Sequence, residues 1–143
     1  MGNRRRGRVL AFQALYWWDL ARPTSSALID AADGSDLFQD DPTDNDEPHA
    51  RDFARLLIAG TLEQIEEIDE HIRSQLRHWD FSRLGKVDLA ILRISVYALL
   101  WQRDIPAGVT IDEAVEIARD FGGEESYRFV NGVLDGIRKG VPA

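Results

Sequence analysis

Apolar residues recur every three or four positions along most of this 143-residue chain, which is the period of an amphipathic helix. A first helix is predicted over residues 8–21, ending before Pro23 because proline cannot continue the hydrogen-bond ladder. A long amphipathic helix is predicted from about Phe53 to about Arg77. A third helix, from about Lys86 to Trp101, is strongly apolar, which is typical of a buried central helix.

Two more helices are predicted near the C-terminus. Thr110 and Glu113 have the spacing of a capping box, so a helix is predicted from there to Phe121. Gly122 and Gly123 are predicted to end it by adopting the left-handed backbone of a C-terminal cap.

A last helix is predicted from Ser126, and no alternating strand pattern or hairpin turn is visible. The pattern therefore predicts an all-α fold: one single-domain compact bundle of about six to seven helices over residues 1–143. A flexible basic N-terminus is expected over residues 1–7. A Pro-, Ser- and Asp-rich acidic loop is expected over residues 23–48.

Composition excludes several kinds of chemistry. The chain has no cysteine, so disulfides, thiol catalysis and cysteine-ligated zinc are excluded. It has no phosphate-binding glycine motif, and no catalytic constellation is visible, so we expect neither a cofactor nor an enzyme. Glu67 and His71 could form a metal pair on one helical face, but solvated side chains are the simpler interpretation, and no metal site is predicted.

Apolar runs are too short to span a membrane. The run after the N-terminal arginines resembles a signal peptide but is interrupted by Gln13 and has no cleavage pattern. We therefore expect a cytoplasmic protein.

Charge is distributed in blocks along the chain. The formal net charge is −8, yet residues 1–18 carry four arginines and no acids. Residues 19–52 carry ten acids against two arginines. Because an approaching phosphate experiences charges within about 8 Å at physiological salt, the local cluster matters more than the total. The N-terminal cluster is predicted to attract a polyanion such as RNA; the alternative is a solvated tail that aids solubility. The acidic loop, as a hypothesis, competes with RNA for these arginines or is an inert spacer.

Several sequence motifs, in one order, resemble the transcription antitermination factor NusB family. They are the arginine-rich start leading into AFQALY, the segments AILR and EAVEIA, and FVNGVLD near the C-terminus. The resemblance covers residues 4–20 and about 50–137. It implies an all-helical, non-enzymatic protein that binds boxA-type RNA of nascent ribosomal RNA transcripts together with the ribosomal protein NusE. It also implies a role in assembling the antitermination complex on RNA polymerase.

The resemblance also implies which residues make these contacts. The RNA surface would include the N-terminal arginines and two residues at the start of the last helix: Arg4, Arg5, Arg6, Arg8, Glu125 and Arg128. The NusE contact would lie near an aromatic residue of the first helix and an acid at the start of the central helix: Tyr16 and Asp88.

Two alternatives remain open. One is a helical protein-interaction module without an RNA function. The other is a NusB-like domain related to RNA methyltransferases, which needs a cofactor-binding α/β domain for which 143 residues leave no room.

Overall fold

The computed structural model of the chain describes residues 3–24, 26–29, 47–77 and 80–141. These residues form no β-strand, and none of their helices is long and apolar enough to cross a membrane. Residues 26–29 are helical, and a short 3₁₀-helix over Phe81–Arg83 precedes the central helix. The predicted all-α fold is confirmed. The main helices are α1 (Asn3–Ala21), α2 (Glu47–Glu63), α3 (Ile65–Ser74), α4 (Lys86–Trp101), α5 (Ala107–Phe121) and α6 (Ser126–Lys139).

Helix α4 is the centre of the bundle. It contacts all five of the other helices, and its residues 89–96 are buried without interruption. Each fully buried leucine or isoleucine there contributes about 1.5–3 kcal/mol relative to an exposed one. The predicted central helix is confirmed, with both of its predicted ends. Since the other helices pack on α4, it fixes their relative positions.

Helix α1 begins five residues earlier than predicted, at Asn3. Arginine is a good helix former, so the basic segment continues the helix rather than leaving it. Gly7 allows the helix to approach α2 closely, since a Cβ there would lie 2.7 Å from Cδ2 of Phe53 and 2.9 Å from the Ala50 carbonyl oxygen. The prediction of a flexible segment over residues 1–7 is therefore wrong for residues 3–7. Residues 1 and 2 lie outside the described part of the chain.

The predicted long helix between about Phe53 and Arg77 consists of two helices. Gln64 separates α2 from α3, with φ −107° and ψ 19°. The Gln64 N–H still donates to the Gly60 carbonyl at 3.1 Å, and the Ile68 N–H donates to the Gln64 carbonyl at 2.9 Å. The break is thus local. Glutamine does not disfavour a helix, so no residue at this point of the sequence indicates the break.

The capping-box prediction for Thr110 and Glu113 is wrong. Helix α5 begins at Ala107, directly after Pro106, whose φ of −56° and ψ of 138° provide the extended backbone from which the helix starts. Thr110 therefore lies inside the helix, where it is buried, and its hydroxyl has no hydrogen-bond partner among the described residues.

Helix α5 ends at Phe121 as predicted, but not through a left-handed glycine. Gly122 has φ −91° and ψ −176°, and none of the described glycines has a positive φ. A Cβ at Gly122 would lie 2.6 Å from Cβ of Ser126 and 2.7 Å from the Ala118 carbonyl oxygen. Glycine is therefore required by the close approach of α6 to the end of α5.

Most of the predicted acidic loop, residues 23–48, lies outside the described residues. Within it, residues 26–29 form a helical turn, in which the Ala27 N–H donates to Oγ1 of Thr24 at 3.1 Å. Residues 47 and 48 already belong to α2.

Candidate nucleic-acid interface

The N-terminal end of α1 is strongly cationic. Its first turn contains arginines and no acidic residue. The unpaired N–H groups of a helix N-terminus are equivalent to about half a positive elementary charge, and the arginines add to this field. This arrangement is unfavourable for an isolated helix, and it favours the binding of an anion such as a phosphate.

Helix geometry places the four arginines at different depths. Successive residues are turned by about 100° around a helix, so they cannot all face the solvent. Arg4 is exposed, Arg5 and Arg6 are half-buried, and Arg8 is buried. The predicted cluster is therefore divided into three arginines at the surface and one in the interior.

Arg8 belongs to the contact between α1 and α2. It is only 6% exposed, and its guanidinium carbon lies 5.5 Å from the centroid of the Phe53 ring. Burial lowers the pKa of Arg8, partly offset by the charge of Glu113 and reinforced by that of Arg4. A phosphate cannot reach a side chain at this depth without rearrangement of the helices. The structure thus argues against the predicted RNA contact of Arg8.

Arg5 joins the first turn of α1 to α5. Its Nη2 donates to Oδ2 of Asp120 at 2.9 Å, and its Nη1 lies 3.6 Å from Oε2 of Glu113. Two turns further along α1, the rings of Phe12 and Phe121 pack with centroids 5.0 Å apart. This ring contact connects α1 with the end of α5, and the two carboxylates of α5 partly neutralise the arginine-rich end.

The predicted partner-binding residues lie on helix segments that an ion pair connects. Tyr16 is exposed on α1, and Asp88 is half-buried in the first turn of α4. One turn after Tyr16, Oδ2 of Asp19 lies 2.9 Å from Nζ of Lys86, which is two residues before Asp88. This pair holds the last turn of α1 against the first turn of α4.

A buried ion network extends inward from this pair. Arg93 of α4 donates from Nε and Nη2 to the two carboxylate oxygens of Asp69 on α3, at 2.9 and 3.0 Å. Its Nη1 also lies 3.5 Å from Oδ1 of Asp19, so one guanidinium links three helices. The ring of Trp18 stacks on the guanidinium of Arg22 at 3.8 Å and lies 5.3 Å from that of Arg93.

These charges determine the ionisation of Asp19. Burial acts to raise the pKa of Asp19, but the hydrogen bond from Lys86 and the charges of Arg93, Lys86 and Arg22 outweigh it, so the pKa is lowered. Sequence reasoning missed this network. One sign of it was available: an arginine in the middle of the apolar segment AILRISV requires a buried acidic partner.

A cleft of about 270 Å³ brings two of the predicted contact residues together. Asp88 from α4 and Glu125 from the start of α6 both line it, with Arg83 at one side and Leu84 and Phe129 as its apolar walls. The residue predicted to bind the partner and one predicted to bind RNA therefore share one surface depression.

Phe129 also borders a second cleft, of about 290 Å³, between the end of α3 and α6. This cleft includes Arg77 and Arg128. Arg128 is exposed, lies 3.7 Å from Glu125 and donates from Nε to the hydroxyl of Tyr127 at 2.9 Å. Phe129 was not predicted as a contact residue because its position in FVNGVLD is typical of helix packing.

The structure thus defines a class, that of all-helical proteins with a cationic helix end and surface clefts, features suited to nucleic-acid binding. No group of three or more potential metal ligands is found in the described ranges. The chain belongs to the NusB family, whose model matches residues 5–139.

Curated relatives and solved structures agree with this assignment. The transcription antitermination protein NusB of Treponema pallidum (strain Nichols) is 54% identical over 139 residues, covering 96% of this chain and 93% of that protein. The solved structure of T. maritima NusB is 39% identical, with a TM-score of 0.79, covering 95% of this chain and 90% of the other. A crystal structure of the antitermination factors NusB and NusE in complex with dsRNA contains a chain 28% identical to this one. Its TM-score is 0.82, and the match covers 99% of each chain.

Proposed function

We propose that this protein is a transcription antitermination factor, a non-enzymatic adaptor that binds boxA-type RNA of nascent ribosomal RNA transcripts together with ribosomal protein NusE. In this role it helps assemble the antitermination complex on RNA polymerase, in the cytoplasm. The names of the relatives and the NusB–NusE–dsRNA structure support this function. The observation that carries it is the cationic end of α1, where Arg4 is exposed and the first turn holds no acid.

Arg4 and Arg6 are proposed to contact RNA phosphates, whereas the guanidinium of Arg5 beside them is paired with Asp120. Such contacts position the RNA and contribute affinity but do not read its sequence. Base recognition is assigned to the region around Phe129, because an aromatic ring beside a cleft can stack on an unpaired base. Arg128 can bind a phosphate there, and the Glu125 carboxylate can accept from a base amino group or a ribose hydroxyl.

Tyr16 and Asp88 are proposed to bind NusE. Tyr16 offers an exposed ring with a hydroxyl, which is favourable at interfaces. Asp88 offers a carboxylate at the edge of an apolar cleft, where a basic side chain of the partner would find both a counter-charge and apolar contact. Because Asp88 and Glu125 share this cleft, the partner and the RNA would meet there.

Binding of fluorescent boxA-type RNA across a salt series, with and without NusE, tests the function. Each phosphate contact on single-stranded RNA contributes about −0.7 to the slope of log affinity against log salt. Arg4→Ala should therefore flatten the slope by about 0.7. If the contact contributes nothing at 1 M salt, affinity should fall about four-fold at 0.15 M.

Two matched variants serve as controls in this assay. Arg138→Ala removes an exposed arginine from the last turn of α6, where it pairs with Asp135, and should leave the slope unchanged. Arg8→Met removes the buried arginine and should change affinity by less than about two-fold at 0.15 M salt, since no direct phosphate contact is lost. Binding to NusE without any RNA binding would instead identify a pure protein-interaction module.

A further inference from the structure

The contact between Arg5 and Asp120 affects how strongly the N-terminal end of α1 can bind RNA. This inference rests on the proposed function. Three of the four N-terminal arginines reach the surface, but Arg5 differs from Arg4 in having a carboxylate of another helix within hydrogen-bond distance. Both Nη atoms of Arg5 face α5, one toward Asp120 and the other toward Glu113. A phosphate must compete with these carboxylates for the same N–H groups.

We propose that Asp120 withholds Arg5 from RNA and thereby limits the affinity that charge alone can provide. The fold positions Asp120 for this role, because the packing of Phe12 on Phe121 holds the adjacent residue of α5 beside the first turn of α1. Asp120 retains 54% of its side-chain exposure and Arg5 26%, so the pair lies at the surface and can exchange with an incoming phosphate.

Pairing of Asp120 with the Arg5 guanidinium differs from a general effect of negative charge. A carboxylate that merely lowers the surface potential would act on any nearby arginine, and its effect would not depend on Arg5. A carboxylate that occupies the Arg5 guanidinium acts mainly through that residue. Glu116 provides the comparison: it is exposed, and it lies one turn before Asp120 on the same helix.

The experiment measures binding of a random single-stranded RNA and of boxA-type RNA, each with and without NusE, by fluorescence anisotropy from 0.05 to 0.5 M salt. Asp120→Asn should raise affinity for both RNAs about four-fold at 0.15 M and steepen the slope by about 0.7, the contribution of one additional phosphate contact. Glu116→Gln, which makes the same change in net charge, should raise affinity by less than about two-fold, because it leaves the ion pairs of Arg5 with Asp120 and Glu113 in place.

A double-variant cycle decides the mechanism. With Arg5→Ala as the background, Asp120→Asn should raise affinity by less than about two-fold. An equal gain in both backgrounds, or an equal gain from Glu116→Gln, would overturn the inference. So would wild-type affinity for Asp120→Asn.

If the protein does not have the proposed RNA-binding function, the binding measurements give a different result. In that case the wild-type protein and Asp120→Asn would both fail to bind either RNA at 0.05 M salt, with or without NusE. Because Asp120 is exposed, the variant should retain the helical circular dichroism of the wild type.

Discussion

Two ion-paired regions join α1 to later helices, and they differ in depth. The network of Arg93 with Asp69 and Asp19 lies in the interior, where the Arg93 side chain is 4% exposed. The pair of Arg5 and Asp120 lies at the surface. Buried charges that lose a partner are costly because water cannot replace it, whereas an exposed pair exchanges readily with solvent or with a ligand. The same chemistry therefore stabilises the fold in one region and is available for binding in the other.

The largest expected effect is that of Arg93→Ala. It leaves the carboxylates of Asp69 and Asp19 buried without their common partner, which typically costs about 3–5 kcal/mol. Urea unfolding followed by circular dichroism measures the loss. Arg138→Ala, which removes one member of an exposed pair, should cost less than about 1 kcal/mol. Equal losses would remove the distinction between the two regions.

A smaller effect, about 1–3 kcal/mol at neutral pH, is expected for Asp19→Asn, which removes a charged hydrogen-bond acceptor from the network. This loss should depend on pH. Because the pKa of Asp19 is lowered in the folded protein, its ionised form stabilises the fold above the ordinary value of about 3.9, and this stabilisation disappears as pH falls through the lowered pKa.

The measurement for Asp19 is the difference in unfolding free energy between wild type and Asp19→Asn, from pH 7 down to pH 2. The unfolding free energies of the two proteins should converge as the pH falls below about 4. Asp135, whose pKa is also lowered, chiefly by its hydrogen bond from Lys139, is present in both and cancels in the difference. Parallel curves would mean that Asp19 does not contribute through its charge.

Arg5→Ala should have a small effect on stability, less than about 1 kcal/mol in urea unfolding, because the pair is solvated and α1 remains packed through Phe12. The control is Asp120→Asn, which removes the other partner and should cost no more. A loss above about 2 kcal/mol for either variant would place the surface pair in the same class as the buried network.

The smallest expected effect is a response to salt. The Debye length falls from about 10 Å at 0.1 M to about 3 Å at 1 M, so the destabilisation by Arg5→Ala should decrease to nearly zero at 1 M sodium chloride. The destabilisation by Arg93→Ala should persist, because ions do not enter the core. Unfolding of both variants at the two salt concentrations checks this, and a persistent effect for Arg5 would contradict its assignment to the surface.

The sequence by itself determined the helical class, the family and the position of the central helix. Period and propensity act within a few residues, so the apolar segment from Lys86 to Trp101 was predicted with both ends. The same local reasoning was wrong at Thr110 and Gly122, and it missed the break at Gln64. Each of these features depends on neighbouring helices: Thr110 is buried, α6 approaches Gly122 closely, and α3 packs after the break at Gln64.

Only the tertiary structure decided what each arginine does. The pattern RRRGR gives four equal charges, and the contacts of α1 with α2 and α5 bury Arg8, pair Arg5 and leave Arg4 exposed. Asp120 lies 115 residues from Arg5 along the chain, and Arg93 lies 24 residues from Asp69. Helical periodicity gives the direction of a side chain around its own axis, whereas the identity of the facing helix, and hence the partner of each charge, is fixed only when the helices pack.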